Sequence, residues 1–352
     1  SLGITSIRGN IIGDDDYFDD VYYPSGWAWD DMVYPFSAQI NALSIYDNRI
    51  DLVIEQGDSI GAQAKIKVVP ENNYIKLINK VRTVNDSGLT EVMPEREVGS
   101  NIIEVYGAVK FNPKKKESTV VSVTIDNPTL YFLSLFKDAL DRRRINFRGA
   151  LLDIDDCNET FAYMDKNPSC ENVSPALSEI VKKVNKSSDN LIAETLMKTI
   201  AKEVTGRGSF SLGIDQIEKF AVRAGISPER MSVADGSGLS RANYISPRYQ
   251  TMLLQKVYRS DIKDDILASL ALPGEKGTLK NRLTRSRAEK NVWAKTGSMT
   301  GVATLCGYVT TKDNETMAFS IMIMNHSVSL NTANNLIDLI CMRVASFSRK
   351  RS

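Results

Sequence analysis

Residues 293–309, WAKTGSMTGVATLCGYV, read as a strand, a tight turn and a second strand. Val, Ala, Leu and Tyr suit a pleated surface, and Thr300-Gly301 suits the turn. Lys295 interrupts that pattern and is followed at once by Thr296, Gly297 and Ser298. A lysine and two hydroxyls around a glycine make a poor core and a good cradle for an anion. Outward from this hairpin, a third strand is predicted at 316–325 and a closing helix from Thr332 to Ser346. On the N-terminal side, helices are predicted near 174–186, 190–204, 213–224 and 246–258. Helices before a final meander define a mixed α/β (α+β) domain with an antiparallel sheet.

Composition sets few limits. The 352 residues are 42% hydrophobic and 25% charged, ordinary for a globular protein of two or three domains. A net charge of +1 gives no reason to expect nucleic acid as a partner. No apolar run reaches membrane-spanning length. The opening Ser1-Leu2-Gly3 reads as the start of a processed or engineered piece and says nothing about compartment. None of the four cysteines is spaced as CxxC, so the spacing gives no sign of a zinc site. Cys306 and Cys341 fall in core patterns; Cys157 and Cys170 flank a polar loop, and pairing between them is left open. The single histidine, His326, follows an apolar run at a strand end, so a hydrolase built on this chain would use a base other than histidine.

The first part of the chain has a different character. GDDDYFDD, residues 13–20, lacks the glycine and final glutamate of an EF loop and reads as a solvated loop with at most weak cation affinity. Residues 50–54, 64–69, 101–106 and 118–125 alternate as strands, and Pro128 opens a helix to about Arg143. Lys114-Lys115-Lys116 reads as an exposed loop.

Upstream of Lys295, Ser188-Asp189-Asn190 occupies a junction between two predicted helices. Read alone, SDN is a helix cap, and KTG alone is equally weak. Together and in this order they match two of the three signatures, SxxK, SxN and KTG, of serine enzymes that recognise penicillin. ADGSGLSR at 234–241 and GWAWDDMVYPFSAQINAL at 26–43 add to the match. The four strings together resemble the penicillin-binding protein 4 type of D-alanyl-D-alanine carboxypeptidase/endopeptidase, over nearly the whole chain.

The resemblance implies a transpeptidase/β-lactamase-like domain over 150–352, its antiparallel sheet flanked by helices. It further implies an inserted module formed by 1–45 with 118–149, and a second, β-rich inserted module at 46–117. The implied ligands are peptidoglycan stem peptides and β-lactam antibiotics, and the implied location is the periplasm or another extracytoplasmic part of the cell envelope. Ser188, Asn190 and Lys295 take catalytic roles in this reading. Thr296, Gly297 and Ser298 hold substrate, and Asp31, Phe36, Leu239, Arg241 and Met299 surround its long side chain. The SxxK segment is expected to precede Gly26, so the chain is expected to lack the nucleophile, to need the segment that supplies it, and to be poorly stable alone. Ser134-Leu135-Phe136-Lys137 and Ser260-Asp261-Ile262-Lys263 match SxxK out of the family's context and are read as accidental. Two rivals stand beside this reading: a non-catalytic stem-peptide-binding remnant, and a serine β-lactamase using Glu218 or Glu229 for deacylation.

Overall fold

The computed structural model describes residues 3–85, 91–114, 117–158 and 167–349. The chain divides into two compact units, residues 1–167 with 202–209, and residues 168–201 with 210–352.

The first unit opens with two short strands, β1 (Ser6–Arg8) and β2 (Ile11–Gly13). It continues through β3 (Arg49–Glu55), β4 (Lys65–Val69), β5 (Lys76–Val84), β6 (Glu91–Arg96), β7 (Ile102–Lys110) and β8 (Ser118–Thr124). Helix α1 (Pro128–Arg142), β9 (Asn146–Arg148) and β10 (Leu151–Asp153) follow. β3 pairs antiparallel with β4 and β8, and its alternate residues Ile50, Leu52 and Ile54 are buried, as the pleat requires. A second sheet runs β5-β7-β6, with β5 parallel to β7. Both sheets give side chains to one core with Tyr131 and Leu135 of α1. α1 begins at the Asn127 cap, whose side chain accepts the Leu130 N–H, with Pro128 in the first turn.

The short strands pair in parallel, β1 with β9 and β2 with β10, joining residues about 140 positions apart in the chain. Local pattern does not show such a pairing, and the sequence analysis places no strands there. Gly13 ends β2 where a Cβ would stand 2.5 Å from Thr129 Cγ2, so the glycine permits close approach of β2 to α1. The solvated loop expected at 13–20 holds for Asp14, Asp16 and Asp20, which are exposed, and fails for Asp15, which is 5% exposed. Lys114 is exposed as expected; Lys115 and Lys116 lie outside the described residues.

The second unit carries α2 (Leu177–Ser187), α3 (Asn190–Thr205), α4 (Phe210–Arg223), α5 (Pro247–Tyr258) and α6 (Lys263–Ser269). The last turn of α3 is grouped with the first unit. The antiparallel meander β11 (Val292–Met299), β12 (Val302–Thr310) and β13 (Thr316–Met324) follows, and α7 (Leu330–Ala345) closes it. Ala333, Ile337, Cys341 and Ala345 of α7 form a core with Ala294, Ala303, Leu305 and Val309 of the sheet. α5 also packs on the sheet, where Tyr308 donates to the Leu254 carbonyl at 2.7 Å. Helix α6 is an addition to the predicted elements; at seven residues it is too short for a periodic signal. Cys157 is half-buried and Cys170 exposed. Among the described residues no helix is long and apolar enough to cross a membrane.

Candidate active site

Lys295 sits in the middle of β11, on the outer side of the sheet order β11-β12-β13. Its side chain reaches the α2–α3 junction, where Nζ donates to Ser188 Oγ at 2.7 Å and to the Thr296 carbonyl at 2.7 Å. Burial disfavours the ammonium and pulls the Lys295 pKa below its ordinary value; Cys306, its partner across β12, acts in the opposite direction. The Cys306 thiol is itself pushed up to about 11 by burial, so it stays protonated at neutral pH.

The polar residues of the junction divide the work. Asp189 is the cap of α3, its Oδ1 accepting the Ile192 N–H at 3.1 Å, and Asn190 opens the helix. Ser188 ends α2 in a left-handed conformation, φ 58° and ψ 56°. That backbone is uncommon for a residue with a Cβ, and here the exposed hydroxyl it carries meets Lys295. The capping reading of SDN is therefore right for Asp189, while Ser188 pairs with the lysine.

Among the described residues the outer edge of β11 is paired at one place, where Ala294 and Ala271 exchange both backbone hydrogen bonds. In an antiparallel ladder the outward-pointing N–H and C=O recur at every second residue, so Thr296 and Ser298 present theirs along the same edge. Side-chain alternation sets Lys295 and Gly297 on one face and Thr296 and Ser298 on the other, with Ser298 exposed. Gly297 is opposite Thr304, and a Cβ there would lie 2.4 Å from Thr304 Oγ1. The cross-strand threonine is thus a reason for the glycine that the sequence analysis did not contain. Met299 ends the strand, and the Arg241 guanidinium donates to the Thr300 carbonyl of the adjoining turn at 2.9 Å.

That contact ties the ADGSGLSR loop to the hairpin, and the loop is shaped by two carboxylates absent from the predicted site. Asp235, 3% exposed, accepts the Gly238 N–H at 2.7 Å, the Ser240 N–H at 2.5 Å and the Asn243 amide at 2.7 Å. Glu194, fully buried on α3, accepts the Gly236 and Ser237 N–H groups at 2.9 and 2.8 Å. Burial is the largest influence on Glu194 and pushes its pKa up to about 7, against these hydrogen bonds. The signal was present in the sequence: Leu191, Glu194, Met197, Lys198 and Ala201 form one buried helical stripe, and a carboxylate in such a stripe needs partners. Leu239 is half-buried within the loop, its N–H held by Ser237 Oγ at 3.3 Å.

Asp31 and Phe36 belong to the first unit. Asp31 ends a helical turn at 29–31, and Phe36 is exposed and stacked on Tyr34 at 5.7 Å between ring centroids. His326 follows the end of β13, with Nδ1 3.0 Å from the Val328 carbonyl.

The architecture is that of penicillin binding protein 4 from Haemophilus influenzae, whose crystal structure superposes with a TM-score of 0.78 over 97% of this chain and 76% of that one, at 23% identity. A second crystal structure of that protein, bound to a β-lactam, matches with a TM-score of 0.67 at 25% identity over 86% of this chain and 71% of that one. Residues 1–344 match the D-Ala-D-Ala carboxypeptidase 3 (S13) family, and the chain belongs to it. It is 30% identical over 98% of its length to a D-alanyl-D-alanine carboxypeptidase of Actinomadura sp. strain R39, and 29% identical over 90% to penicillin-sensitive carboxypeptidase A of Dictyostelium discoideum. It spans 64% and 61% of the lengths of those two relatives.

Proposed function

We propose that this chain carries the SxN and KTG portion of a serine D-Ala-D-Ala carboxypeptidase/endopeptidase that acts on peptidoglycan stem peptides. The observation that carries this is the 2.7 Å contact between Lys295 and Ser188 beside the open edge of β11. A peptide lying along that edge adds to the sheet through Thr296 and Ser298. The Ser298 N–H then serves as an oxyanion donor, a contribution of roughly 2.7–4 kcal/mol to the barrier in comparable sites. The terminal carboxylate of the peptide meets the Lys295 ammonium and the neighbouring hydroxyls. In the reaction a serine oxygen attacks the carbonyl between the two D-alanines. Ser188 passes a proton to the departing amine, D-alanine leaves, and water later cleaves the ester. Asn190 holds the substrate amide. Asp31, Phe36, Leu239, Arg241 and Met299 enter this reading through the family resemblance alone. The substrate places the working protein outside the cytoplasm, and β-lactams are ligands of the same site.

The proposal assigns the attacking serine to none of residues 1–352. An SxxK lysine must be neutral to take the serine proton. Lys137 is bound at 2.7 Å by Asp141, which raises its pKa, and Lys263 lies 4.3 Å from the Tyr258 ring centroid. The Ser260 hydroxyl is donated to the Val257 carbonyl.

The test is a titration of the chain with an N-acylated peptide ending in D-Ala-D-Ala, compared with its C-terminal amide. The carboxylate form should bind about tenfold more tightly, near 1.4 kcal/mol, and Lys295→Ala should erase the difference. Equal binding of the two peptides by the unmodified chain would overturn the reading. Labelled penicillin should associate without a covalent bond; an adduct on any serine of the chain would overturn the nucleophile assignment.

A further inference from the structure

The GDDDYFDD segment was left outside the proposed chemistry, yet its Asp15 is among the most buried charged residues of the first unit. The parallel pairing of β2 with β10 explains where it goes. The two strands end side by side, Gly13 opposite Asp153, so the chain beyond each enters the same space. Asp15 follows β2, Asp153 ends β10, and Asp155 lies in the helical turn after it. One carboxylate oxygen from each of the three lies within 4.8 Å of those of the other two.

Close acidic groups alone would be unremarkable; the orphaned oxygens are the second observation. Asp15 Oδ2 accepts from the Asn41 amide at 2.6 Å and from the Thr129 hydroxyl. Asp153 Oδ2 accepts from the Asn127 amide at 3.3 Å. These donors fix both carboxylates and leave one oxygen of each unsatisfied. Asp15 Oδ1 and Asp153 Oδ1 are buried with no hydrogen-bond partner among the described residues, on side chains only 5% and 4% exposed. A buried carboxylate oxygen without a partner destabilises the fold, and a cation relieves that cost.

We propose that Asp15, Asp153 and Asp155 form a site for a hard divalent cation, calcium by its chemistry, which fastens the chain after β2 to the turn after β10. All three ligands are oxygens, the donor type calcium and magnesium take. Oxygens on opposite sides of calcium stand roughly 4.6–5.2 Å apart, twice its usual bond length, and the three oxygens here lie within 4.8 Å of one another. The cation also answers the repulsion in the cluster. Three carboxylate oxygens held within 4.8 Å of one another repel when ionised, and a divalent cation offsets that repulsion. Asp155 is exposed, giving the ion an entry and room for water ligands.

The test is calorimetric titration of the chelator-treated chain with calcium chloride at pH 7.5, against sodium chloride of matched ionic strength. Calcium should bind at one site and raise the melting temperature, with magnesium weaker. Asp155→Asn should weaken calcium at least tenfold while melting no lower than the unmodified chain in chelator, because it removes repulsion. Asp156→Asn, next in sequence and outside the cluster, should bind calcium unchanged. The hydroxyl of Tyr22 feels the charges of Asp15, Asp153 and Asp155, so terbium emission excited through Tyr22 and displaced by calcium gives a readout that needs no variant. Absence of calcium binding above the sodium control, or equal calcium binding by Asp155→Asn, would overturn the proposal.

Discussion

At position 297 the side chain is missing because a neighbour already fills its place. Thr304 Oγ1 stands 2.4 Å from where a Cβ would be. Gly297→Ala should therefore cost about 1–3 kcal/mol by denaturant unfolding, the usual range for overpacking. Thr304→Ala in the same chain should restore most of that loss, whereas simple additivity of the two changes would show that the contact is not the cause. Ser188 shows how far a motif can be read. The pairing of SDN with KTG was legible from order and residue type. The left-handed backbone that delivers the hydroxyl to Lys295 was not, because no local residue preference calls for it. Asp31 and Phe36 mark the other limit: they were named by resemblance, and a string of residues does not reveal what they touch.

Long periodic elements were the most legible. The alternation in β3 and the apolar faces of α1 and α7 are strong local signals, and the structure has them within a few residues of the expected bounds. The three-residue parallel pairs carry no such signal, since their partner is the other end of the unit. The loop at 234–241 is intermediate. Its string was recognised, but its support by Glu194 needed the fold to bring α3 beneath it. That support has a pH dependence with a definite sign. The folded chain holds the Glu194 proton up to about pH 7, while the unfolded chain releases it near the ordinary 4.5. Stability from this group is present below pH 4.5 and is lost as pH rises through 7, by about 3 kcal/mol in all. Glu194→Gln should flatten that part of the stability profile between pH 4.5 and 7.5; a slope identical to that of the unmodified chain would refute the assignment.

Across the whole molecule, each unit has its own apolar core, one around Ile50, Leu52 and Ile103 and one around Ala294, Leu305 and Ile337. Leu305→Ala should cost about 2–5 kcal/mol as a fully buried truncation. Hydrogen exchange should then quicken in β11–β13 and stay unchanged in β3 and β7; equal acceleration in both would show a single cooperative unit. The sheet of the second unit has two outer strands of opposite character. β11 carries a lysine and hydroxyls, whereas TMAFSIMIM, the whole of β13, has no charged residue and no proline, and no strand pairs with its far edge among the described residues. Nature commonly guards such a border with a charge or a bulge. Concentrated solutions of this chain are thus exposed to self-association along β13, and a lysine introduced on that strand would act as a gatekeeper without touching β11.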